Sequence, residues 1–181
     1  MAPPNRSRPS LLRPIFELLR QAILALAMVL PCGLAASPLA ERLDDPKVLG
    51  SSTFRFLGLP VYDARLYTPG GAPFDWNQEL GLKLTYRKSI AQKALIKSTL
   101  DEMVRQGNPP PTADQLQACF QAVSKGDSYL AISEGPDKIG FWRNGSRTCT
   151  LSSPGITRAF MSIFLGSNTR SANFTRQLKG Q

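Results

Sequence analysis

Histidine is absent from all 181 residues. Its absence removes the usual general base near neutral pH, the Ser-His and Cys-His nucleophile pairs, and the commonest metal ligand. Cysteine is scarce as well, with three in the chain, and the two outside the N-terminal apolar run, Cys119 and Cys149, have no close partner in sequence and no histidine to join them, which makes a poor metal site. The chain has no GxSxG elbow, no Walker loop and no dinucleotide fingerprint, and Ser89-Ile90-Ala91-Gln92 offers glutamine where an SxxK pair needs lysine. A hydrolase is therefore disfavoured, and neither a cofactor nor a metal is expected. Acidic residues are few, 13 against 22 lysines and arginines. Asp44-Asp45, Asp101-Glu102 and Asp137 fall in segments that read as terminus, exposed helix and turn, so they read as solvated charge rather than acid-base groups. Apolar runs long enough to span a bilayer are also missing. The longest, AILALAMVLPCGLAA, is interrupted by Pro31 and Gly33.

That run has another reading. It follows a basic, proline-containing opening with Arg6, Arg8, Arg13 and Arg20, and it ends in small residues, which is the three-part pattern of a secretory signal. Residues 1–36 are accordingly expected to be a signal peptide, cleaved after Ala35 or Ala36, with 37–47 a short linker and 48–181 a single domain. Pro31 before Cys32 argues against a lipoprotein site. The mature chain would be periplasmic or secreted, with no membrane span, and its basic residues are scattered without a run or interleaved aromatics, so no nucleic-acid partner is expected. Cys119 and Cys149 remain after processing. In an oxidising compartment they could pair and close a loop of about 30 residues, worth roughly 3 to 4 kcal/mol. Cys119 also fits as a free core residue, on one helical stripe with Leu116, Phe120 and Val123.

Strand signals open the mature chain. VLGSSTFRFLGLPVYDARLYT holds two β-rich runs separated by Gly58 and Pro60, and ELGLKLTYRK alternates with Leu80, Leu82, Leu84 and Tyr86 on one face. Two helices follow. Ser89 with Gln92 predicts a capping box ahead of the stripe Ile96, Leu100, Met103 and Val104, and Thr112 with Gln115 predicts another after the break NPPP. Strands return in SYLAIS, KIGFWR and SRTCTL, the last two joined by Asn144-Gly145, a strong type I′ hairpin signal. Ser153 and Pro154 predict the start of a helix carrying Ile156, Ala159, Phe160, Ile163 and Phe164, and Ser171 the start of a last short one. The order lacks a βαβ rhythm and has no internal repeat. It predicts an α+β domain, an antiparallel sheet with helices packed on one face.

Within FLGLPVYDARLY, residues 62, 64 and 66 share one face and 61, 63, 65 and 67 the other. Tyr62, Ala64 and Leu66 are expected to face the helices, with Asp63 and Arg65 paired on the outer face. Arg55 with Tyr62 or Tyr86 could bind a carboxylate in an apolar cavity, or the tyrosines could simply bury their rings.

FRFLGLPVYDARLY, LTYRKSIAQKALI, the Lys125-Gly126-Asp127 triplet, Arg143-Asn144-Gly145 and AFMSIFLG together resemble the bacterial chalcone isomerase-like proteins, over Val48 to Gly180. The resemblance implies an open-faced β-sandwich, and a superfamily divided between plant isomerases and non-catalytic relatives, some of which bind fatty acids. Against the plant enzymes, Tyr62 stands where a threonine would be. The segment 88–128, where their catalytic tyrosine and an asparagine would lie, has no tyrosine and only Asn108. The resemblance thus implies no catalytic residues here. In the fatty-acid-binding relatives an arginine precedes the strand and a tyrosine follows within it: Tyr67 matches the tyrosine, while the arginine position falls on Phe54, with Arg55 next to it. A one-residue offset reverses the face unless a bulge compensates, and Gly58 and Pro60 leave room for one. The candidate ligand residues are Arg55, Tyr62, Tyr67 and Tyr86, and the expected function is binding of a small amphipathic or carboxylate ligand such as a fatty acid. Isomerase or lyase activity on an enone, and an envelope interaction protein with a filled cleft, are the alternatives.

Overall fold

The computed structural model describes residues 37–108 and 110–181; the expected signal peptide lies outside them. Six strands, β1 (Pro46–Phe56), β2 (Leu59–Pro69), β3 (Gly81–Tyr86), β4 (Ser128–Ser133), β5 (Lys138–Arg143) and β6 (Ser146–Ser152), form one sheet in chain order, each antiparallel to its neighbour. Among the described residues, five helices accompany it: α1 (Pro38–Arg42), α2 (Gln92–Arg105), α3 (Ala113–Cys119), α4 (Ile156–Leu165) and α5 (Ala172–Leu178). The expected α+β architecture is what forms.

The alternation in β2 and β3 sets the faces as expected. Ala64, Leu66, Leu82, Leu84 and Tyr86 are buried beneath the helices, in one cluster with Met103, Leu116, Phe141, Met161 and Leu178. Each such aliphatic or aromatic side chain contributes roughly 1.5 to 3 kcal/mol on leaving water. The outer face has its own smaller cluster: Leu43, Leu130, Ile132 and Trp142, with Leu39 and Tyr67 packed against it. The segment read as a linker is therefore part of the fold. Ser37 caps α1 by accepting from the Ala40 N–H at 3.3 Å, and Leu39 lies so close to Gly81 that a Cβ there would meet its side chain at 2.5 Å.

Several local expectations shift. Ser89 does not cap α2, whose N-cap is Ala91; the Gln92 side chain instead donates to the carbonyls of Gln117 and Phe120, at 3.1 and 2.6 Å, tying the start of α2 to the end of α3. Ile90 forms an isolated bridge with Val123, so Phe120 and Val123 lie beyond α3 rather than along its stripe. The Thr112–Gln115 capping box does form. Ser153 does not cap α4, which begins after Gly155 in the left-handed region at φ 69°; Asp137 accepts from the Gly155 N–H at 2.7 Å. Val104 is exposed, because it falls off the buried side of α2 that Met103 occupies.

Two of the motifs behind the family resemblance are structural locks. Asp127 of the Lys-Gly-Asp triplet accepts from the Ser124 N–H at 2.8 Å, Arg143 Nη2 at 2.9 Å and Asn144 Nδ2 at 2.9 Å. One carboxylate thus ties the entry of β4 to the β5–β6 turn. Cys119 and Cys149 are joined in a disulfide, fastening the end of α3 to β6.

The far edge of the sheet is sealed by α5 lying across β1. At Gly50 a Cβ would stand 2.2 Å from the Gln177 carbonyl oxygen and 2.5 Å from that of Leu178, so only glycine allows this approach. Gly50→Ala is expected to push α5 off β1 and cost about 2 kcal/mol, in the range for overpacking, as measured by urea unfolding.

Candidate functional site

Between the sheet's inner face and the helices lies a cavity of about 620 Å³, within the size range of small-molecule sites. Aromatic rings line much of it. Phe54 stacks on Tyr62 at 5.1 Å between centroids, Tyr62 meets Tyr86 edge-on at 6.1 Å, Tyr86 meets Tyr129 at 6.4 Å, and Phe164 closes on Tyr62 at 6.4 Å. Leu82, Leu84, Leu95 and Ile163 supply aliphatic wall. Lining residues that are themselves exposed mark the opening: Phe56 from the β1–β2 hairpin, Lys88, Ser89, Ala91 and Ala94 at the start of α2, and Arg170 ahead of α5.

Of the four candidate ligand residues, the structure brings Tyr62 and Tyr86 into the cavity as cross-strand partners. Tyr67 is on the opposite face. The β2–β3 pairing runs without a shift from Tyr62 to Tyr67, so five residues of separation put the two rings on opposite sides, and Tyr67 packs with the outer cluster. Arg55 does not line the cavity either. A bulge does interrupt β1–β2 between Phe54 and Arg55, but it keeps Phe54 inward on Tyr62 and leaves Arg55 exposed, its Nη1 donating to the Gly58 carbonyl at 3.2 Å. Asp63 is on the outer face as expected. Its ion-pair partner is Arg87 rather than Arg65, with Arg87 Nε donating at 2.8 Å and Thr53 Oγ1 at 2.6 Å.

The cavity's arginine is Arg170, which sequence patterning does not single out because it sits in a loop. Its Nε donates to Glu102 Oε2 at 2.5 Å. Glu102, expected to be solvated, is 3% exposed in the last turn of α2. It also accepts from Arg105, and from Gln106 Nε2 at 3.0 Å. Burial alone would raise its pKa; the bonds from Arg105, Gln106 and Arg170 outweigh that and lower it to about 2. Glu102 is therefore charged at neutral pH and serves as a fixed counterion for Arg170. The Nη groups of Arg170 have no hydrogen-bond partner among the described residues.

The tyrosines differ in what their hydroxyls do. Tyr129 Oη accepts from the Gln121 N–H at 2.7 Å. The Tyr62 and Tyr86 hydroxyls have no partner among the described residues, yet neither oxygen is fully enclosed, so both are open to the cavity. Burial, reinforced by the neighbouring Tyr86, pushes the Tyr62 pKa up, against the pull of Arg170; burial and Tyr129 do the same for Tyr86. Both phenols are held protonated. They are hydrogen-bond donors at neutral pH, not bases.

The fold and site define an open-faced antiparallel α+β protein of chalcone isomerase-like fold with an aromatic-lined cavity. Among solved structures, the chain is similar to a fatty-acid binding protein of Arabidopsis thaliana, at a TM-score of 0.56 and 11% identity, over 76% of this chain and 88% of that one. No family model and no curated protein matches the sequence. At that identity the likeness carries the fold.

Proposed function

We propose that this chain is an exported chalcone isomerase-like protein, related to the bacterial family it resembles, that binds a single-chain amphipathic ligand such as a fatty acid without transforming it. The observation that carries the reading is the cavity itself: about 620 Å³, walled by aromatic and aliphatic side chains, with the Tyr62 and Tyr86 hydroxyls and Arg170 among its polar groups. The hydrocarbon chain lies against Leu82, Leu84 and the rings. The carboxylate meets Arg170 at the opening, where the free Nη groups offer charge-assisted bonds, or the Tyr62 and Tyr86 hydroxyls deeper in. The fatty-acid binding activity named for the Arabidopsis neighbour is consistent with this use of the fold. Location in an oxidising compartment, the periplasm or outside the cell, is supported by the Cys119–Cys149 disulfide.

Protein purified under native conditions is expected to yield a lipid by mass spectrometry of an organic extract. A clean extract together with no heat or fluorescence change on titration with fatty acids would end the reading. Arg170→Gln is expected to weaken fatty-acid affinity about tenfold or more, the scale of a lost hydrogen bond to a charged group, and to leave affinity for the matching fatty alcohol nearly unchanged. Equal losses for both would show that Arg170 does not meet the carboxylate.

A further inference from the structure

The β1–β2 hairpin ends in three apolar side chains that the fold does not cover: Phe56, Leu57 and Leu59 are 58%, 87% and 66% exposed. They lie at a two-residue turn, since Phe56 pairs with Leu59. A second two-residue turn in the same sheet shows what the backbone there favours. Asn144-Gly145 adopts φ 50° and 88°, and Leu57-Gly58 adopts φ 49° and 81°. The first position tolerates asparagine because its short polar side chain accepts the left-handed region, whereas leucine there is strained. Leu57 is thus disfavoured by its conformation and disfavoured by its exposure. Its presence needs a reason outside the folded domain.

The charges around the tip name the partner. Arg55 is exposed beside the turn, Lys88 and Arg170 stand at the cavity opening, and Arg87, whose N–H donates to the Val61 carbonyl at 2.9 Å, lies next to Lys88. The carboxylates in the vicinity, Asp63 and Glu102, are already bonded to Arg87 and to Arg105 and Arg170. An apolar tip with Arg55 beside its turn and Lys88 at the mouth of the cavity that Phe56 lines matches a bilayer carrying anionic headgroups, in which acyl chains take the tip and phosphates take these two cations. A soluble acidic protein would satisfy the cations but leave Leu57 no acyl layer to enter.

We infer that the β1–β2 tip inserts into anionic lipid membranes, with Phe56, Leu57 and Leu59 as the wedge and Arg55 and Lys88 on the phosphates. Phe56 belongs both to the tip and to the cavity lining, so insertion would bring the opening to the membrane surface. The inference does not rest on the ligand reading, because the wedge is the same whether or not the cavity is occupied.

The test uses the full chain with Leu57→Trp as a local reporter, and vesicles of phosphatidylglycerol or phosphatidylcholine with brominated acyl chains. Thermal melting checks that the variant folds. Leu59→Trp, on regular strand backbone, is the second reporter should tryptophan at the strained position unfold the tip. The expected result is a blue shift and bromine quenching of the new emission with phosphatidylglycerol and little with phosphatidylcholine. Adding Arg55→Gln and Lys88→Gln is expected to lower the affinity read this way by about 25-fold, from roughly fivefold for each basic residue at an anionic surface. No quenching of either reporter would overturn the inference, as would equal quenching by both lipids. A blue shift that grows with protein concentration in the absence of vesicles would also overturn it, by assigning the tip to a second copy of the chain.

Discussion

Replacing both Cys119 and Cys149 with alanine is expected to lower the stability of the protein by about 3 to 4 kcal/mol and its melting temperature by roughly 10 °C. The bridge closes a loop of 30 residues that spans the end of α3, the whole of β4 and β5 and the start of β6. Without it the unfolded chain regains that loop's freedom. The two sulfurs also hold α3 over the sheet, with Cys119 buried and Leu116 beside it in the core, so truncation removes packing as well as the cross-link. Differential scanning calorimetry of the double variant checks this. A melting temperature within a degree or two of the original would show that α3 is held by its apolar face alone.

The second large effect is on acid stability. Glu102 has its folded pKa lowered to about 2 by Arg105, Gln106 and Arg170 acting against burial, so its ionised form stabilises the fold. The contribution is complete above the ordinary carboxylate pKa, near 4.5, and is lost as pH falls from there towards 2. A shift of that size corresponds to about 3 kcal/mol. Glu102→Gln is therefore expected to destabilise the protein by a similar amount at neutral pH while differing little from the parent near pH 2. Stability measured by urea unfolding across pH 2 to 7 gives both curves. Parallel curves, with a constant gap at every pH, would mean that the charge of Glu102 contributes nothing. Because Glu102 also holds Arg170 at the cavity opening, the same variant is expected to alter ligand affinity; Gln106→Ala, which removes one bond to Glu102 and none to Arg170, separates the two roles.

The sheet was legible in the sequence because a period of two is a local property. Leu80, Leu82, Leu84 and Tyr86, and separately Tyr62, Ala64 and Leu66, declare their shared face without reference to anything distant. Asn144-Gly145 likewise carries its turn in two residues. Helix starts were less legible. Ser89 has the composition of a cap, but Gln92 is drawn away to carbonyls of α3 that only the tertiary fold brings near. The site divided along the same line. Tyr62 and Tyr86 follow from strand parity. Arg170 and Glu102 meet across 68 residues from a loop and a helix end, and no pattern in either segment announces the other. Tyr67 shows the limit of carrying a position across a resemblance, and Arg55 the limit of choosing a ligand group by residue type: each is one step of parity away from the cavity, and in a strand one step is the opposite face.

The cavity's use as a site for an acyl chain is tested most directly by calorimetric titration with saturated fatty acids of increasing length. Burial of each added methylene is worth about 0.8 kcal/mol, so affinity is expected to rise roughly fourfold per carbon and then level off when the cavity is filled. Absence of binding at every length, or an affinity that does not change with chain length, would contradict it.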